Sequence, residues 1–393
     1  MMLMKLDDYL SGELEKLRSE KLLRVLPERR AGISFASNDY LGLAAHPALR
    51  EAAARAARDF GVGSGASRLV GSHSDLHAEM EGKLAFFKGA EAALSFSSGY
   101  AAALGTIPAL VGRGDTILAD KLCHASLIDA ARLSGATLRV FRHNDTGQLE
   151  ERLRRLGGAG GKVWILTESV FSMDGDLAPL AEIVALKERF GAFLFVDEAH
   201  ATGLFGGGGG LCQSTGLSDC VEVQMGTLSK AVGASGGFVA GSHKLIAFLA
   251  NRARSFVFST APTLPAVAAA CAGLDIIVSS EGDELRRRLW ENVGHAVRRL
   301  DGMPLLPSAS PILPVMVGGA EDALLIAVNL AEKGFLVPAI RYPTVERGKA
   351  RLRITVSARH DSREVDCLVE AIKLQSFPLT ILTANTKQCE DGD

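Results

Sequence analysis

VWILTESVFSMDGDLAPLAEIVALKERFGAFLFVDEAH, residues 163–200, decides the fold class. VWILT (163–167) and AFLFV (192–196) are short, continuously apolar runs. Between them, DLAPLAEIVALKERFG sets Leu177, Leu180, Ile183 and Val184 on one helical face, with Asp176 placed as N-cap and Gly191 as C-terminal stop. Strand, helix and strand at this spacing make a βαβ unit, and runs apolar throughout imply strands covered on both faces. AALSF (92–96), TLRVF (137–141) and VEVQM (221–225) repeat the signal. The expectation is an α/β fold with a mostly parallel central sheet covered by helices.

Outward from that centre the texture changes. The N-terminal MMLMKLDDYLSGELEKLRSEKLLR carries leucines at helical spacing and reads as a helix and arm, residues 1–45. A large α/β domain follows over 46–285. Beyond it, a long charged helix, ILPVMV, a helix at 321–333, FLVPAI, RLRITV and a last helix at 362–374 read as a smaller α+β domain, 286–393. The apolar stretch at 261–278 contains two prolines and an aspartate, so it is expected to be a buried helix and not a membrane span. Five glycines at 206–210 read as a flexible loop, and the tail after 375 as a polar, frayed end.

Composition narrows the function. The 393-residue chain is 47% hydrophobic with a formal net charge of -2, a balance that favours neither nucleic acid nor an acidic membrane surface. Its six cysteines include no C-x-x-C pair, so zinc and disulfide frameworks both lack support. With no signal-peptide pattern at the N-terminus, a soluble cytoplasmic protein is expected.

Asp197-Glu198-Ala199-His200 directly follows a strand, where open α/β sheets place ligands. A nucleotide-hydrolase reading needs a phosphate loop, and GGAGGKV (157–163) has neither its spacing nor its hydroxyl. GVGSG (61–65) follows a helical pattern and fails as a dinucleotide fingerprint. A cofactor-less α/β nucleotide-binding protein remains the alternative of a different class.

Pyridoxal phosphate chemistry uses every piece. It needs a lysine for a Schiff base, an acid for the pyridine nitrogen, a phosphate cup at a helix start and a flat group against the ring. Lys230 sits in MGTLSKAVGASGGFVAG (225–241), among small residues that leave room for a bulky partner. Asp197 ends a strand, Ser98, Gly99 and Tyr100 open a helix after AALSF, and His124 in KLCHASL supplies a ring.

SNDYLGL (37–43), GSGASRLVGSH (63–73), SSGYAA (97–102), HASL (124–127), TESVFSMDGDLAPL (167–180), VDEAHATGLFG (196–206), TLSKAVGASGG (227–237), FSTAPTLP (258–265) and ARLRITVSARH (350–360) together resemble the α-oxoamine synthases. These are fold-type-I pyridoxal 5'-phosphate enzymes that condense an amino acid with an acyl thioester and release CO2. SRLVGS, TESVFSMDGD and VPAIRYPTVERGKARLRIT are most similar to the biotin-pathway branch, which joins L-alanine to a pimeloyl thioester carried on CoA or on an acyl carrier protein. Glycine- and serine-using branches are the alternatives. Tyr342 departs from that branch, where a second proline is expected.

The resemblance implies that Lys230 binds the cofactor and moves a proton, that Asp197 keeps the ring nitrogen protonated, that His124 stacks on the ring, and that His200 lies near the cofactor hydroxyl. It gives Ser98, Gly99, Tyr100 and Thr227 to the phosphate, Glu168 and Ser172 to support of the ring, and Asn38, Arg353 and Arg24 to the substrate carboxylate. It also implies a homodimer with shared sites, in which Thr260 reaches a neighbour's phosphate. Strand alternation in RLRITV alone would instead put Arg351 and Arg353 on a solvent face.

Overall fold

The computed structural model describes residues 5–24, 26, 31–157 and 160–375. The tail after 375, Cys389, part of GGAGGKV and part of the connection between Arg24 and Ser34 lie outside the described residues.

Seven strands form the central sheet, in the order Ala92–Phe96, Gly237–Gly241, Val223–Thr227, Phe193–Asp197, Val163–Glu168, Thr116–Asp120 and Thr137–Phe141. Gly237–Gly241 runs antiparallel to both neighbours, and all other pairings are parallel. The strands are apolar throughout because both faces are covered. Ile117, Ala119, Leu166 and Phe195 enter the core on one face, and their neighbours Leu118, Ile165, Leu194 and Val196 enter the other.

Several details differ from the expectation. Thr116–Asp120 and Gly237–Gly241 were not among the runs that the sequence marks, being short and interrupted by an acid or by glycines. The strand expected at 221–225 begins at Val223. Glu222 is withheld from it because its carboxylate accepts Lys187 Nζ at 2.6 Å and Leu194 N at 2.7 Å. Asp176 is not an N-cap: the helix is Leu180–Phe190, entered through Pro179, and Asp176 instead accepts His143 Nε2 at 2.7 Å. Gly191 does close that helix, with φ of 65°.

In the glycine run at 206–210, Gly208, Gly209 and Gly210 are buried and packed, whereas Gly206 and Gly207 are exposed. Gly210 has φ of 116°, and a Cβ there would meet Glu198 Oε2 at 2.6 Å. Glu198 is fully buried, paired with an equally buried Lys88, and accepts Cys212 N at 2.9 Å. Close backbone approach to this buried ion pair is what demands glycine.

Leu264–Ile277 is a buried helix packed on Pro47–Phe60 and Asp75–Lys88. Among the described residues, no single helix is long and apolar enough to cross a membrane. In the C-terminal layer, Ile312–Gly318, Ala350–Thr355 and Ala339–Ile340 form an antiparallel sheet, with helices Ser280–Arg299, Ala320–Glu332 and Ser362–Lys373. FLVPAI is not one strand. Phe335–Leu336 pairs with Ile33–Ser34, and Pro338, which has no N–H to give a ladder, separates it from Ala339–Ile340.

Candidate active site

The carboxyl ends of three adjacent strands carry Glu168, Asp197 and Thr227, with Glu168 and Asp197 as register partners. The turn after Thr227 brings Lys230 back over these ends. Ser98 caps the helix Gly99–Leu110 and accepts Ala101 N at 3.0 Å, so the N–H groups of Gly99 and Tyr100 face outward without an intrahelical carbonyl. His124 caps Ala125–Ser134, its Nδ1 within 2.8 Å of Ser126 Oγ. Glu168, Asp197, Thr227, Lys230, Ser98, Gly99, Tyr100 and His124 all border one cleft of about 240 Å³, together with His200.

Charge in the cleft is out of balance. Burial pushes the Glu168 carboxyl well above the usual carboxylate range, and the neighbouring Asp197 adds to this. Asp197 is raised by burial too, with Lys230 pulling it back. Withdrawal from water lowers Lys230 to about 8, opposed by Asp197 and Glu168. His200 Nε2 lies 2.7 Å from Lys230 Nζ, and burial, then Lys230 and Arg353, hold that imidazole far below its ordinary range.

Arg353 is buried, as is Arg351, so the solvent-face reading of RLRITV is corrected. Both faces of that strand are covered, and each guanidinium has partners. Arg351 pairs with Asp174. Arg353 donates from Nε to Ser172 O at 2.6 Å, from Nη1 to Thr355 Oγ1 at 2.8 Å and from Nη2 to Asn38 Oδ1 at 3.1 Å. Ser172 therefore meets the site through its carbonyl.

Two of the expected residues are not gathered here. Arg24 is exposed and donates to Thr344 Oγ1 at 3.2 Å. Thr260 is exposed beside Arg68 and Ser259, outside the cleft that holds Lys230. Conversely, the fully buried Tyr40, 2.6 Å from His200 Nδ1, was not singled out by the sequence reading. It lies in a loop, where no periodicity marks which residue turns inward, although SNDYLGL contains it.

The aminotransferase class I and II family model matches residues 30–372. The 8-amino-7-oxononanoate synthase of Geobacter sulfurreducens is 46% identical over 378 residues, covering 92% of this chain and 96% of its own. That of Herminiimonas arsenicoxydans is 47% identical over 357 residues, covering 89% and 92%. Among solved structures, serine palmitoyltransferase from S. paucimobilis, with pyridoxal phosphate and myriocin bound, has a TM-score of 0.87 at 30% identity over 95% of this chain and 98% of that one. An 8-amino-7-oxononanoate synthase from Francisella tularensis has a TM-score of 0.75 at 28% identity, covering 91% and 98%. The chain belongs to the aminotransferase class I and II family. It is a pyridoxal-phosphate-dependent acyltransferase of the α-oxoamine synthase group, most like 8-amino-7-oxononanoate synthase.

The residues present fit that cofactor. Glu168 Oε1 is buried with no hydrogen-bond partner, and the two carboxyls raised by burial are both pulled back by Lys230, with His124 also acting on Asp197. A protonated ring nitrogen bound here would supply further positive charge. The free N–H groups at Gly99 and Tyr100 suit a phosphate dianion. Gly237 packs on Ser98 and Gly99 so tightly that any Cβ there would displace this helix start.

Proposed function

We propose that the protein joins L-alanine to a pimeloyl thioester, releasing CO2 and the free thiol and forming 8-amino-7-oxononanoate for biotin synthesis. The observation that carries this reading is the convergence, in one cleft, of Lys230, His200 and Asp197, with Lys230 and His200 linked through hydrogen bonds to the buried Arg353 and the half-buried Asn38. Identity of 46–47% to 8-amino-7-oxononanoate synthases supports the choice of substrates, against 30% to the serine palmitoyltransferase.

Bound in the cleft, pyridoxal phosphate supplies an aldehyde that condenses with amines and a ring that accepts electron density from Cα. The chain's own residues do the rest. Asp197 as carboxylate keeps the ring nitrogen protonated, and Ser98, Gly99, Tyr100 and Thr227 hold the phosphate. His124 would lie against the ring, and Glu168 and Ser172 would support it. Arg353 has five N–H donors, of which three are used within the protein, so two are left for the alanine carboxylate, with Asn38 assisting. Lys230, lowered to about 8, gives up its proton far more readily than a solvated lysine, and as the amine it takes the proton from Cα. His200 donates to the oxygen of the acyl carbonyl as it gains charge.

The proposed working unit is a homodimer. The exposure of Thr260, outside its own cleft, supports a role for it toward the phosphate of a second copy. The acyl carrier is CoA or an acyl carrier protein.

The test is thiol and CO2 release with four substrate pairs under one set of conditions: alanine with pimeloyl-CoA, glycine with acetyl-CoA, glycine with succinyl-CoA, and serine with palmitoyl-CoA. The first pair is expected to give the highest kcat/KM. A win for the serine pair, which the high TM-score to serine palmitoyltransferase makes the strongest competitor, would overturn the choice of substrates.

A further inference from the structure

Tyr40 is fully buried, and none of the roles above uses it. Its hydroxyl lies 2.6 Å from His200 Nδ1 and 3.3 Å from Asn38 Oδ1. Across the imidazole, His200 Nε2 is 2.7 Å from Lys230 Nζ, and Asn38 Oδ1 also accepts Arg353 Nη2. One unbroken chain of hydrogen bonds therefore runs from Lys230 through His200, Tyr40 and Asn38 to Arg353. Its ends are the residues to which the proposed reaction gives the Cα proton and the substrate carboxylate.

A phenol has one proton to donate, and a neutral imidazole has one donor and one acceptor nitrogen. His200 is neutral, since burial and the charges of Lys230 and Arg353 hold it far below its ordinary range. Two arrangements then satisfy every atom. With Lys230 as ammonium, it donates to Nε2, Nδ1–H donates to Tyr40 Oη, and the phenol donates to Asn38 Oδ1. With Lys230 as amine, it accepts Nε2–H, and the phenol turns to Nδ1, leaving Asn38 Oδ1 to Arg353. Burial pushes the phenol up to about 12, against the pull of Arg353, so it remains a donor in both.

We propose that Tyr40 is a positioning residue that matches the His200 tautomer to the protonation state of Lys230 and links that state to the Asn38–Arg353 clamp. The inference rests on the roles proposed for Lys230 and Arg353. Tyr40 does not border the cleft, so it acts through His200 and not on the substrate. Around the pair stand Asp197 and Glu168, which favour the ammonium, Arg353, which opposes it, and His124, which opposes charge on His200.

The experiment is an imidazole nitrogen NMR titration of the full-length, cofactor-free protein labelled with 15N-histidine, with His200 assigned from its loss in His200→Gln. In the wild type, His200 is expected to stay neutral and to exchange Nδ1–H for Nε2–H as Lys230 titrates near 8. Tyr40→Phe, which keeps the buried ring, is expected to lose that exchange. In the holoenzyme it is expected to lower kcat/KM for alanine about tenfold or more, with the KM for the thioester within about twofold. A wild-type His200 that keeps one tautomer from about pH 6 to about pH 10 overturns the proposal. So does a Tyr40→Phe protein that retains the exchange. Should that variant not fold, the wild-type titration decides alone. The spectra involve no substrate, so failure of the alanine–pimeloyl assay counts against the reaction and leaves this outcome separate.

Discussion

Glu168 and Asp197 stand side by side, register partners at the ends of two parallel strands, with relative exposures of only 2% and 5%. Two acids do not both ionise in such a place at neutral pH without a cation between or beside them. Lys230 meets part of that need in the protein alone, and in the proposed complex a protonated pyridine ring would add to it.

Asp197→Asn keeps the side-chain shape and removes the charge proposed to hold the ring nitrogen protonated. Turnover with alanine and pimeloyl-CoA is expected to fall at least ~100-fold, the scale of losing one electrostatic stabiliser in an active site. Cofactor content, read by absorbance, is expected to fall far less. An unchanged rate would make Asp197 structural.

Arg353→Lys retains a cation and loses the planar fork. A charge-assisted pair contributes ~1.5–3 kcal/mol, so KM for alanine is expected to rise roughly 10–100-fold with KM for the thioester nearly constant. Equal rises in both constants would show that Arg353 only holds Ser172 and Asn38 in place.

His143 gives a pH-dependent stability. Burial works against its charge, but hydrogen bonds to Asp120 at 3.0 Å and Asp176 at 2.7 Å prevail and raise it to about 9. The folded value lies above the ordinary value of 6.5, so this contribution is complete below about 6.5 and is lost as pH rises through about 9. Tm of the wild type is expected to fall between those values. His143→Gln is expected to start lower and to show a flatter profile there. Parallel profiles would contradict the account.

The sheet was legible because strands buried on both faces are apolar throughout, as in VWILT and AFLFV, and because a helix of the right length separates them. The site was legible as motif residues at strand ends. What escaped depends on contacts distant in sequence. Asp176 looked like a helix cap until His143 reached it, and the glycine run looked loose until the Lys88–Glu198 pair filled the space beside it. Arg353 looked solvated because alternation in a strand says nothing about a second layer. Tyr40 was hidden in a loop, facing a histidine 160 residues away.

The place of Lys230 at the centre of this site is tested most directly by borohydride reduction of the cofactor-loaded protein, followed by proteolysis and peptide mass measurement. The account predicts one modified peptide, carrying the reduced pyridoxyl phosphate group on Lys230, and none from Lys230→Ala. A label on any other lysine, or unlabelled protein with full acyl-transfer activity, would contradict it.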